Sequence, residues 1–303
     1  SAATFLLRRG FNVEMFERED RAGGLLMYGI PGFKLDKNTV DRRVAWLLEA
    51  GMKLHLNCEI GKDKAAKDLD DEFDAIFLGI GAKAGRYSKI EGESEASNVH
   101  LAMDFLTGIQ KRNLGTDAAY INVEDKNVVV IGGGDTAMDC VRTSVREKAK
   151  SVKCLYRRDE INMPGSKKEV VNAKEEGVEY MFNVSPKSIK VDGKKATAIE
   201  LLKTSMSEPD ETGRQKVVIN EGSEFIEEAD VIIMALGFSP EAPKFLEELN
   251  VETNSWGGVE ATNYQTSNEK IFVGGDCQRG AHLAVTAAVD GREAAKLIID
   301  KLS

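Results

Sequence analysis

The stretch Asn127 to Asp139, NVVVIGGGDTAMD, restricts the fold more than any other part of the chain. Four apolar strand formers, Val128 to Ile131, run directly into Gly132, Gly133 and Gly134. A helix-forming run follows through Ala137, Met138, Cys140 and Val141. The pattern reads strand, tight turn, helix. Its small residues match G-x-G-x-x-A at Gly132, Gly134 and Ala137, and each has a physical task in a dinucleotide site. Gly132 permits the sharp turn, Gly134 lets a pyrophosphate approach the backbone, and Ala137 lets the helix pack closely on the strand. The first turn of the helix then offers unpaired N–H groups and partial positive charge to phosphate. A plain structural turn carries the same pattern, so the next segment decides how it is read.

Ser151 to Tyr156 (SVKCLY) reads as a second strand, and it ends in Arg157 and Arg158. An NAD site usually carries an acid at this place for the ribose 2′-OH, whereas a basic residue suits the 2′-phosphate of NADP. Arginine holds phosphate through a planar fork of donors. The reading favours NADP. Asp159 and Glu160 follow at once, which leaves NAD open.

Composition narrows the function class. The chain has 303 residues, room for two domains, with 42% hydrophobic and 30% charged residues. A net charge of −9 argues against non-specific binding to nucleic acid or to an anionic membrane. No apolar run approaches the roughly 20 residues that span a bilayer, and no signal-peptide pattern opens the sequence. Cys58, Cys140, Cys154 and Cys277 are scattered and never form C-x-x-C, which speaks against a local metal or iron–sulfur site and against a dithiol redox centre. They read as core residues or inert thiols, and the compartment as a reducing cytoplasm.

The sequence opens inside a βαβ unit. Ala2 to Arg9 reads as the end of a helix closed by Gly10, and Phe11 to Phe16 as a strand ending at Glu17, the ribose position of another dinucleotide unit. The strand and glycine turn that should precede them are expected upstream of Ser1. Arg21 to Pro31 is a glycine-rich loop suited to wrapping a flat ligand. Asp41 to Ala50 reads as a helix and Lys53 to Ile60 as a strand, with His55 in a packing role. Asp74 to Ala82, and later Ala229 to Gly237, read as apolar strands ending in glycine, where backbone can approach a cofactor. Leu101 to Lys111 reads as a short helix, Lys167 to Glu176 as a charged one, and Val178 to Phe182 as a strand. Ala196 to Thr204 and Gln215 to Ile219 resemble a hairpin with a solvated tip, Ser207 to Arg214. Lys270 to Asp276 reads as a strand reaching an acid, followed by a helix from about His282 to Leu302. This last part has no place in the central unit and would complete the first. The expected architecture is α/β, with two Rossmann-like domains. One comprises residues 1–111 and 238–303 and lacks its first strand and glycine loop, and residues 112–237 are inserted into it.

In this order the segments resemble the two-dinucleotide flavoprotein reductases, and within them the small (beta) subunits of NADPH-dependent glutamate synthase. The likeness rests on GGLLMYGIPGFKLDK (Gly23 to Lys37), VVVIGGGDTAMDCVRTSVR (Val128 to Arg146), SVKCLYRRDEINMPGSKKEV (Ser151 to Val170), DVIIMALGFSP (Asp230 to Pro240) and GGDCQRGAHLAVTAAVDGREAA (Gly274 to Ala295). The resemblance implies FAD in the interrupted domain and NADPH in the inserted one. It implies Gly132, Gly134, Asp135, Thr136, Ala137, Arg157, Arg158 and Gly237 at NADPH. It implies Glu17 at the FAD adenosine ribose, Gly24 and Leu25 along the flavin, Ile60 near the adenine, and Gly81 by the pyrophosphate or adenosine. Gly275 and Asp276 would lie at the ribityl chain, with Leu283 and Ala284 at the pyrimidine edge of the flavin. His282 is given no proton role. No side chain is expected to act as a catalytic acid or base, and no metal ligand is expected.

The function implied is an NADPH-oxidising electron-input module. Electrons would pass from NADPH through FAD to iron–sulfur centres outside this chain and on to the glutamate synthase large (alpha) subunit, or to another acceptor. The family's cysteine-rich N-terminal region and first glycine loop are not in this sequence, so the FAD site is expected to be incomplete here. A related NADPH:ferredoxin-type or sulfide-linked oxidoreductase shares most of these motifs. A non-catalytic cofactor-binding module is the reading from another class.

Overall fold

The computed structural model describes residues 1–211, 213 and 215–303. Two of the residues expected at the solvated tip, Thr212 and Arg214, therefore lie outside the described residues. The chain divides into two compact units, one of residues 1–27, 32–84 and 238–303, the other of residues 28–31 and 85–237.

The second unit is built on a five-stranded parallel sheet. Its strands lie in the order Val99–Leu101, Val231–Met234, Asn127–Ile131, Ser151–Tyr156, Glu179–Phe182. The middle strand, Asn127–Ile131, is buried on both faces, which explains why it reads as a continuous apolar run. Val128 and Val130 point into one core with Phe105, Leu106, Met138, Val141 and Ala173 from the helices Ala102–Asn113, Asp135–Arg146 and Lys167–Glu175. Val129 and Ile131 point into another with Val184, Ile189, Ile199 and Leu201. These last come from an antiparallel pair, Val184–Asp192 with Lys195–Met206, extended by Phe225–Glu228 and Val217–Ile219. The unit is thus three layers: helices, parallel sheet, antiparallel sheet.

Two features depart from expectation. Residues 85–111, expected with the first unit, belong to the second, because Val99–Leu101 pairs with Val231–Met234 and Phe105 and Leu106 fill the helix-side core. The expected hairpin between residues 196–204 and 215–219 is only the outer end of a larger sheet. Lys195–Met206 meets Val217–Ile219 over Thr204 to Met206, and its long partner is Val184–Asp192, which the sequence pattern did not mark.

In the first unit, Glu14–Phe16 runs parallel to Lys53–His55, and Ile76–Leu78 parallel to Ile271–Val273. The latter strand also packs on both sides. Ile271 and Val273 join Leu78, Leu246, Leu249 and Val251, while Phe272 meets Ala294 and Ile298 of the helix Ala284–Leu302. His55 lies flat on the Phe16 ring at 4.6 Å between centroids and its Nε2 is 2.8 Å from Glu14, so it serves the packing of its strand.

Phe105 is wholly buried in the helix-side core of the second unit. Phe105→Ala should cost that unit about 3–5 kcal/mol, seen as a lower urea midpoint by circular dichroism.

Candidate functional site

The second unit carries the better-defined site, at the carboxyl ends of its central strands. Ile131 pairs with Leu155 in parallel register, and the Gly132 N–H donates to the Leu155 carbonyl at 3.0 Å. The turn Gly132 to Gly134 and the segment Tyr156 to Arg158 therefore leave the sheet side by side.

The three glycines are required for different reasons. Gly132 has φ +149°, and a Cβ there would stand 2.2 Å from the Ala235 carbonyl oxygen. Gly133 has the Tyr156 ring 2.4 Å from where its Cβ would stand. Gly134 has φ −89° and ψ 177°, and no atom lies within 4 Å of its Cβ position. Nothing inside the protein demands a glycine at Gly134, so the bare backbone there is free for a group from outside. It is the N-cap of the helix Asp135–Arg146 and supplies no side-chain cap, so the first-turn N–H groups of Asp135 and Thr136 have no acceptor within the helix. Ala137 is fully buried under the strand. Gly237, with φ +88°, follows the neighbouring strand Val231–Met234 and has open space at its Cβ position.

Arg157 is exposed and Arg158 half-buried. Their carbonyls are anchored, Arg157 by the Thr204 hydroxyl at 2.9 Å and Arg158 by the Asn183 N–H at 3.1 Å. Their guanidiniums make no ion pair among the described residues, and the buried Arg158 Nε has no partner.

Asp135, expected at the cofactor, is exposed, and its Oδ1 accepts the Ser166 N–H at 2.9 Å. Ser166 precedes the helix Lys167–Glu175, which is tied to the helix after the glycine turn by a buried cation. Arg142 donates to Glu176 at 2.6 Å and to Glu169 at 2.6 Å, and Arg146 donates to Glu176 at 2.5 Å. Hydrogen bonds from Arg146 and then Arg142 hold the Glu176 carboxyl down, to about 2 from an ordinary 4.5, against the opposing effect of burial. Sequence reading missed this network, and it missed Tyr156 and Asn162 as parts of the site. The only signal was the Pro164-Gly165 turn, whose Gly165 N–H donates to the Gly133 carbonyl at 2.9 Å.

The candidate residues of the first unit form two groups. Glu17 ends the strand Glu14–Phe16, where its Oε1 accepts the Glu19 N–H at 3.1 Å and its carbonyl accepts the Cys58 N–H at 3.0 Å. That bond brings Glu17 beside the segment leading to Ile60, which packs at the margin of a core cluster. The other group lies where Ile76–Leu78 and Ile271–Val273 end together. Next to Gly275 and Asp276, the Cys277 thiol donates to the Leu78 carbonyl at 3.7 Å, at the end of the strand that runs on to Gly81. Gly275 has φ +81°, and its N–H donates to Asp290 Oδ2 at 2.8 Å. Burial raises the Asp276 carboxyl above its ordinary value, opposed by the His282 N–H that it accepts at 3.2 Å. Leu283 and Ala284 open the 19-residue helix Ala284–Leu302 and are exposed. Gly24, with φ +53°, has no atom within 4 Å of its Cβ position, and Leu25 begins the short helix Leu25–Tyr28.

Residues 1–291 match the family described as Pyridine nucleotide-disulphide oxidoreductase. The chain belongs to that family. Among its relatives in the family, the Glutamate synthase [NADPH] small chain of Escherichia coli (strain K12) is 46% identical over 312 residues, covering 100% of this chain and 66% of that protein. Putative oxidoreductase AegA of the same organism is 45% identical over 312 residues, covering 100% of this chain and 47% of that protein. The chain thus spans about half to two thirds of the length of these relatives. Among solved structures, Mycobacterium tuberculosis FprA in complex with NADPH matches with a TM-score of 0.82 at 16% identity, over 99% of this chain and 81% of that one, which shows a shared fold. All four cysteines of this family member are free, and no helix among the described residues is long and apolar enough to cross a membrane.

Two outcomes follow from the glycine turn and the arginine network. Gly132→Ala should lower the melting temperature of the purified protein, while Gly134→Ala should leave it unchanged within about 0.5 kcal/mol of stability. Glu176, with its carboxyl depressed when folded, stabilises the protein above its ordinary value of 4.5 and loses that contribution as pH falls from there through about 2. Glu176→Gln should therefore destabilise at neutral pH, and the gap in denaturant midpoint to wild type should narrow steadily across that acid range.

Proposed function

We propose that the chain is an NADPH-oxidising flavoprotein module of the glutamate synthase small-subunit type. The observation that carries this is the side-by-side exit of Gly132 to Gly134 and Arg157 to Arg158 from neighbouring parallel strands. The open backbone at Gly134, with the first-turn N–H groups of Asp135 and Thr136, would hold a pyrophosphate. Arg157 and Arg158 would hold the 2′-phosphate through charge-assisted hydrogen bonds. Gly237, open at its Cβ position, would let the same ligand pass close to the backbone.

FAD would be held by the first unit. Glu17, with Oε2 uncommitted among the described residues, would accept from the adenosine ribose near Ile60. Gly24, Leu25 and Gly81 would offer close backbone approach, and Gly275 and Asp276 would face the ribityl chain. The N–H groups of Leu283 and Ala284, at the start of the helix Ala284–Leu302, would stabilise negative charge on the isoalloxazine edge. When bound there, FAD would supply hydride acceptance and onward electron transfer. The chain contributes position, electrostatics and exclusion of water, with no side-chain acid or base needed.

The onward acceptor in this reading is an iron–sulfur centre outside this chain, leading to a glutamate synthase large subunit. The near-equal identity to putative oxidoreductase AegA supports an oxidoreductase core of this kind outside glutamate synthase, and a ferredoxin-type acceptor is the second reading. NADPH oxidation that depends on glutamine and 2-oxoglutarate supports the first acceptor, and ferredoxin reduction without them the second.

Replacing Arg157 and Arg158 together with Ala should raise KM for NADPH about tenfold or more and leave KM for NADH nearly unchanged, in steady-state bleaching of the flavin absorbance. Equal effects on both would remove the 2′-phosphate assignment.

A further inference from the structure

The two carboxylates nearest Arg157 and Arg158 in sequence are both turned to other partners. Asp159 Oδ1 accepts the Asn162 N–H at 2.9 Å and the Asn162 Nδ2 at 2.8 Å. Asn162 is itself fixed, because its carbonyl accepts the Tyr156 hydroxyl at 2.8 Å, and the Tyr156 ring rests against side-chain-free Gly133. The far end of the loop is pinned by Gly165 to the Gly133 carbonyl and by Ser166 to Asp135. Glu160 pairs with Lys174 at 2.6 Å, but both side chains are about half exposed, and such a pair restrains little. The firm restraint is the one on Asp159.

A carboxylate at the end of the second strand has two consequences for a dinucleotide. It accepts from the 2′-OH of NAD, and it repels a 2′-phosphate while neutralising nearby arginines. Asp159 stands in sequence where it could do both. We propose that Asn162 is a specificity-determining residue. It holds the Asp159 carboxylate inside the loop's own turn and so keeps Arg157 and Arg158 unneutralised for a 2′-phosphate. This rests on the reading that the two arginines receive that phosphate. An asparagine that merely stabilised the loop would make the same hydrogen bonds. Its loss would weaken both dinucleotides alike, and removing Asp159 would not repair it.

The test is calorimetric titration of the full chain with NADP⁺, NAD⁺ and 2′,5′-ADP, which requires no turnover. Asn162→Ala removes the Nδ2 donor and keeps both backbone bonds. Asn162→Asp adds a charge that repels Asp159. The ratio of NADP⁺ to NAD⁺ affinity should fall about tenfold in Asn162→Asp and by less in Asn162→Ala, with 2′,5′-ADP weakening in step with NADP⁺. Adding Asp159→Ala to either variant should restore the ratio. An unchanged ratio in both single variants, or a fall that Asp159→Ala does not repair, overturns the role of Asn162. If Asn162→Asp fails to fold, Asn162→Ala and its double variant decide alone. A wild-type protein that shows no preference for NADP⁺ overturns the arginine reading beneath it, a result distinct from either of the others.

Discussion

The second unit depends on a missing side chain. Its central strand is buried on both faces, and the chain must leave it and start a helix without withdrawing Val128 to Ile131 from either core. That is possible because Gly132 takes φ +149° and lies against the Ala235 carbonyl with no room for a methyl group. The same economy extends outward. Gly133 accepts the Tyr156 ring, Tyr156 then reaches Asn162, and Gly165 closes onto the Gly133 carbonyl. One tight turn thus orders a loop of the next βα connection, and with it the surroundings of Arg157 and Arg158.

The first unit meets a similar demand by different means. Ile271–Val273 is also buried on both faces and runs into Gly274, Gly275 and Asp276. Here a buried carboxylate organises the turn. Asp290, from the long C-terminal helix, accepts the Gly275 N–H and pairs with Arg279. A buried carboxylate is costly unless it is paired and hydrogen-bonded, and Asp290 has both a cation and a backbone donor. The turn, the short helix Asp276–Arg279 and the start of Ala284–Leu302 are therefore held as one assembly.

The helix that follows the Gly132 turn is secured at its far end by charge. Arg142 is 7% exposed and is satisfied by two carboxylates, Glu169 and Glu176, from the next helical segment. Breaking such a buried set is strongly destabilising, so it holds the two helical segments together. It fixes where Ser166 meets Asp135, and so where the loop carrying Asp159 and Asn162 ends.

Much of this was legible in the sequence because it depends on local quantities. A run of apolar strand formers, three glycines and a small residue six positions on from the last strand residue encode strand, turn and helix through backbone freedom and side-chain size. Arg157 and Arg158 mark the end of the next strand by charge alone. Strand pairing and side-chain direction are not local, and only the tertiary structure decided them. Residues 85–111 join the second unit because Val99–Leu101 finds its partner in Val231–Met234, far along the chain. Val184–Asp192 escaped notice because its alternation is broken, its strand character coming from eight register pairs with Lys195–Met206. The place of Asp135 comes from the motif, but that its Oδ1 meets the Ser166 N–H was decided by the fold. Asp159 and Glu160 left the choice of dinucleotide open in the sequence, since order along the chain cannot say where a carboxylate points. The fold turns one to Asn162 and the other to Lys174, because those donors reach them from the loop and from the helix packed beside it.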